Sequence, residues 1–152
     1  MTETIPRPRG AEAADGVTTV CPPLICSPMR IEARAVRRGL RDTADAPAVV
    51  RTGYGTTRAA RAAGELSDGS FGQLIIMGVG AGLSADLSPG DLVVGTDVDG
   101  VACASAPLLA AELRRAGLSA RTGRITTVDH LIRRGERAAL AAGGALAADM
   151  ES

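Results

Sequence analysis

The chain has 152 residues, 45% hydrophobic and 22% charged, with 17 basic and 17 acidic residues and a formal net charge of zero. That length and composition fit one globular domain with a real core and exclude a chain disordered throughout. The neutral balance argues against an electrostatic nucleic-acid binder, and one Phe, one Tyr and no Trp rule out base stacking on single strands as a main activity.

Residues 1–18 are polar and carry Pro6, Pro8, Gly10 and Gly16, which predicts a disordered tail before a domain spanning 19–152. The tail has no apolar run of the secretory kind, and no run of roughly 18 apolar residues occurs anywhere, so neither a leader nor a membrane span is expected. The expected compartment is the cytoplasm. Pro22-Pro23 precede a short buried strand, Leu24-Ile25-Cys26. Glu32 to Leu40 carry Ala and Arg at helical spacing, with Gly39 near the end. Residues 48–52 form a second strand, Gly53-Tyr54-Gly55 a turn, and Thr56 to Leu66 a helix with Ala59, Ala60, Ala62 and Ala63 as a small packing face.

Residues 73–79 are almost wholly apolar and predict a strand in a sheet covered on both faces. The turn Ser88-Pro89-Gly90-Asp91 leads into a strand at Leu92-Val93-Val94. A helix over 106–116 begins around Pro107 and stops at Gly117. Thr122 to Val128 read as a strand, Leu131 to Leu140 as a helix that Asp129 can cap, and Ala145 to Met150 as a last strand. Alternating strands and helices favour an α/β fold. The three cysteines, Cys21, Cys26 and Cys103, are odd in number and form no CxxC pair, so buried free thiols are expected rather than disulfides or a zinc site.

Several residues have both a structural and a chemical reading. Gly78-Val79-Gly80-Ala81-Gly82 follows an apolar strand. It is neither GxGxxG nor a phosphate loop, and taken alone a tight strand exit explains it better than backbone approach to a ligand does. Thr52-Gly53-Tyr54-Gly55 is a second small-residue turn after a strand, and open sheets bind ligands at strand C-termini. Glu32 can stabilise a helix N-terminus or act as an acid or base. Arg30 can be solvated or can hold a phosphate. Glu151 can be an ordinary exposed carboxylate or accept two hydrogen bonds from a sugar diol. His130 is the only histidine; alone it makes no triad and no metal cluster, and a surface or packed role is the plainer reading.

Taken in order, SPMRIEA, TGYGTTRAARAA, LIIMGVGAGLSADLSPGDLVV, TTVDHLI and ALAADMES resemble the nucleoside phosphorylase/nucleosidase superfamily, from about Leu24 to Ser152. Within it the resemblance is greatest to hopanoid-associated phosphorylases, followed by methylthioadenosine/adenosylhomocysteine nucleosidases. It implies a three-layer α/β/α fold around a mixed central sheet and cleavage of the N-glycosidic bond to a purine, usually adenine, possible substrates including adenosylhopane. It implies no metal or organic cofactor, inorganic phosphate as a possible co-substrate, a small purine nucleoside as ligand, and a homo-oligomer.

Residue by residue, Met29 matches a sugar-side methionine, Glu32 the glutamate that activates water, and Arg30 a phosphate-binding arginine. Gly78, Val79 and Gly80 line the nucleophile's place, with Val79 where the family often has Ser. Leu131 takes the place of a base-stacking Phe, and Met150 and Glu151 match the pair that holds ribose. Family members continue beyond this motif through a helix, a strand carrying an Asp that serves the leaving purine, and a final helix. The resemblance therefore implies an incomplete domain, and with it an alternative function as a non-catalytic nucleoside-binding remnant or interaction protein.

Overall fold

The computed structural model describes residues 21–67, 69 and 71–152; the tail expected over 1–18 lies outside them. The chain divides into two compact units, Met1–Gly78 and Val79–Ser152. It is a mixed α/β protein, and no described helix is long and apolar enough to cross a membrane.

The first unit is two successive βαβ turns of chain. Strand β1 (Leu24–Ser27) runs into helix α1 (Arg30–Gly39), strand β2 (Ala48–Arg51), helix α2 (Thr56–Leu66) and strand β3 (Leu74–Ile76). The sheet order is β2-β1-β3 and both pairings are parallel, with Leu24 opposite Ala48 and Leu74. All three strands therefore end on the same side, where open α/β sheets present their loops to ligands. The central strand β1 is buried along its whole length. Leu24 and Cys26 share one face with Val50 and pack with Leu66 of α2, and Phe71 closes that cluster. Burial pushes the Cys26 thiol up, away from thiolate character. Cys21 and Cys103 are free but only half-buried, so the expectation of three buried thiols holds for Cys26 alone.

Two expectations are corrected in this unit. The strand read over 73–79 shortens to Leu74–Ile76, and Leu74 and Ile76 are 49% and 44% exposed. Among the described residues β3 bonds only to β1, at the edge of this unit's sheet, and the exposure of Leu74 and Ile76 shows that it is not covered on both faces. In α2 only Ala62 and Leu66 are buried. Ala60 and Ala63 face solvent, so the small-residue face is narrower than the alanine count implies.

The second unit holds β4 (Ala81–Gly82), β5 (Leu92–Val98), β6 (Val101–Ala102), α3 (Ala106–Arg115), β7 (Ala120–Thr127), α4 (Glu136–Ala142) and β8 (Ala145–Asp149). The sheet order is β4-β8-β7-β5-β6. The inner pairs β5–β7 and β7–β8 are parallel, and the outer pairs are antiparallel. Its core joins Leu83, Ala145 and Ala148 with Ile132, Leu140 and Ala141 packed against them. The β5–β6 hairpin was not read from the sequence. Its turn is Asp99-Gly100, both at positive φ (48° and 87°), the geometry for which an Asp-Gly pair is the usual signal.

The helix expected over 131–140 is also corrected. It starts at Glu136, with Gly135 as N-cap. Residues 131–135 remain a loop, because the Arg133 backbone N–H donates to the Glu136 carboxylate at 2.8 Å and so closes the first turn further on. Asp129 caps nothing; its carboxylate lies 2.7 Å from His130 Nδ1.

Candidate functional site

In the first unit the loops leaving the three parallel strands are tied to one another. The backbone N–H of Met77, just past β3, donates to the Cys26 carbonyl at 2.8 Å. Those of Thr52 and Gly53, just past β2, donate to Ser27 and Pro28 at 3.2 and 3.1 Å. Ser27 is fully buried, and its hydroxyl donates to the Met77 carbonyl at 2.9 Å. A serine at the last position of a buried strand thus joins two strand exits, a role that the sequence reading missed.

Glu32 sits in the first turn of α1 above these exits and is only 8% exposed. The Met29 backbone N–H donates to its Oε2 at 2.7 Å, and the positive end of the helix dipole favours its charge. A Cβ placed on Gly78 would lie 3.0 Å from Glu32 Oε1. Glycine at 78 therefore lets the strand exit approach the carboxylate closely. Glu32 thus stabilises the helix N-terminus, and the same bond leaves it a fixed, buried carboxylate beside the strand ends. Met29, Glu32 and Gly78 are brought together. Arg30, one residue along the same turn, is exposed, and among the described residues no hydrogen bond or ion pair holds it.

In the second unit the candidate residues fall at its beginning, in the loop after β7 and at the end of β8. Val79 and Leu131 are 76% and 75% exposed. Gly80 packs against β8: a Cβ there would lie 2.9 Å from the Ala148 carbonyl oxygen. Met150 and Glu151 follow β8 directly and are half-buried. The Met150 backbone N–H donates to the Glu151 carboxylate at 3.3 Å. Asp149 orders this end of the strand, since its carboxylate accepts from both the backbone N–H and the hydroxyl of Ser152. Thr127 donates to the Ser152 carbonyl at 3.1 Å, and the Val128 N–H to the Asp149 carbonyl at 2.8 Å. The sequence reading also missed Asp149; the signal was an Asp three residues before a Ser, a pattern that closes local turns.

A cleft of about 300 Å³ beside α4 is lined by Asp99, Arg124, Thr126 and Leu140 among others. Its polar groups are already engaged. Arg124 pairs with Asp97 at 3.0 Å, and Asp99 accepts from the Thr126 hydroxyl at 2.8 Å. The Thr126 bond above all, helped by those of Thr127 and the nearby Arg124 charge, holds the Asp99 carboxyl below its ordinary value against the opposing desolvation. This arrangement stitches the β5–β6 hairpin to β7 and is structural.

No family model matches the chain and no curated protein matches its sequence. Solved structures do match its fold. A putative 5′-methylthioadenosine/S-adenosylhomocysteine nucleosidase from Francisella philomiragia aligns at TM-score 0.71 and 20% identity, over 86% of this chain and 75% of that one. A futalosine hydrolase mutant of Helicobacter pylori aligns at 0.71 and 17%, over 88% and 80%. AMP nucleosidase from Bacteroides thetaiotaomicron aligns at 0.70 and 15%, over 86% and 71%. The chain has the α/β fold of these nucleosidases.

Proposed function

We propose that the chain is a nucleosidase that hydrolyses the N-glycosidic bond of a purine nucleoside. The observation that carries this reading is the buried Glu32 carboxylate, fixed by Met29 N–H at the exits of three parallel strands and approached by Gly78. A carboxylate so placed can take a proton from water. The water oxygen then bonds to C1′, the C1′–N bond breaks, and the purine keeps that electron pair and takes up a proton from solvent. Developing positive charge on the sugar is stabilised by nearby anionic and hydrogen-bonding groups. By the sequence resemblance alone, Met150 and Glu151 are assigned to the ribose, with Glu151 accepting from its hydroxyls, and Leu131 to the base.

The shared fold with named nucleosidases supports the reaction class, and one such structure, from Helicobacter pylori, holds 5′-methylthioadenosine in its active site. Hydrolysis is preferred to phosphorolysis because Val79 brings no hydroxyl for a phosphate and the Arg30 side chain is exposed to solvent. The chemistry calls for no metal or organic cofactor. Within this class, adenosylhopane in hopanoid synthesis is a candidate substrate suggested by the sequence resemblance, and a homo-oligomer is the expected assembly. The test is adenine release from adenosine and 5′-methylthioadenosine, followed by chromatography with and without phosphate. Release without phosphate is expected. Release only with phosphate would make the protein a phosphorylase and Arg30 the residue of interest, and no release would leave a binding protein.

A further inference from the structure

The loop that carries Leu131 is held by the chain's one histidine. His130 Nδ1 lies 2.7 Å from Asp129 Oδ1, and Nε2 lies 3.2 Å from Glu136 Oε2. Ionised carboxylates only accept, and a neutral imidazole has one N–H, so both bonds form together only on the imidazolium. The same Glu136 oxygen accepts from the Arg133 backbone N–H at 2.8 Å. The loop is further fixed by Ile132, which packs onto the Leu83–Ala148 cluster, while Leu131 beside it stands 75% exposed. Pinned on both sides, this segment holds Leu131 at a fixed place on the surface.

We propose that protonated His130 is a positioning residue: by clasping Asp129 and Glu136 it fixes the 129–136 loop and presents Leu131 to the purine. The role of Leu131 rests on the nucleosidase reading; the clasp itself does not. The charged groups facing His130 are Asp129 from the β7 side, Glu136 on α4, and Arg133 between them, whose charge acts on Glu136. The hydrogen bonds to Asp129 and then Glu136 raise the His130 pKa above the ordinary histidine value, and both carboxyls are held below theirs. The sign follows. The clasp is complete below the ordinary histidine pKa and is lost as pH rises through the raised one.

With a single histidine in the chain, proton NMR reads its titration without assignment. The clasp predicts a pKa above ordinary, lowered in Asp129→Asn and again in Glu136→Gln. Adenine affinity, measured by calorimetry across the same range, falls about two- to fivefold as His130 deprotonates, the scale of an exposed ion pair. That pH dependence disappears in His130→Gln. An ordinary pKa, indifferent to both carboxylate substitutions, overturns the clasp. A raised pKa with an adenine affinity that does not follow it overturns the positioning role. A raised pKa with no adenine binding at any pH overturns the nucleoside reading, and the role of Leu131 with it, while the clasp stands.

Discussion

The two units hold their candidate residues by different physics. In the first, three parallel strands end together and burial fixes the chemistry: Ser27 is fully buried and Glu32 nearly so. In the second, the candidate residues follow strands of a mixed sheet, and Met150 and Glu151 are only half-buried. Tethers replace burial there, through Asp149 to Ser152 and Thr127 to the same end. A buried carboxylate in a fixed place suits proton transfer, where small displacements are costly. A tethered, accessible one suits reversible contact with hydroxyls.

Substitutions should separate these two regimes. Glu32→Gln keeps an oxygen for the Met29 N–H but removes the base, and should lower kcat by about 10²- to 10⁴-fold with little change in Tm; steady-state kinetics and thermal melts check both. Glu151→Gln should act on binding instead, raising KM about 10- to 100-fold, as expected for one hydrogen bond to a charged group, with a smaller effect on kcat. Gly80→Ala places a methyl group 2.9 Å from the Ala148 carbonyl oxygen and should cost about 1–3 kcal/mol of stability in urea unfolding. Arg61→Ala removes an exposed i,i+4 pair with Glu65, at 3.7 Å, and should change stability by less than about 0.5 kcal/mol. If Glu32→Gln and Glu151→Gln altered kcat and KM in the same ratio, the contrast between the units would collapse.

Much of the fold was legible because local signals agreed. Strand β1 between Pro23 and Pro28, helix α2 after Gly55 and helix α3 around Pro107 all fall where periodicity and breakers put them. The failures share a cause. The exposure of β3 depends on what pairs beside it, and an apolar run such as Leu74-Ile75-Ile76 looks the same at an edge or a centre. The start of α4 was decided by side chains, Glu136 on the Arg133 N–H and His130 on Asp129, which periodicity does not register. The site divides likewise. Glu32 was legible as a carboxylate at a strand-to-helix junction, and the structure shows its cap and the close approach of Gly78 together. Ser27 and Asp149 were not legible, since each acts on backbone groups that only the folded sheet brings near.

The central claim is that Glu32 directs water to the anomeric carbon. Its most direct test is turnover of adenosine in phosphate-free, ¹⁸O-enriched water by the native chain and by Glu32→Gln. The account predicts free adenine and one ¹⁸O at C1′ of the released sugar from the native protein, with the product lost in the variant. Undiminished product from Glu32→Gln, or none from the native chain, would contradict it.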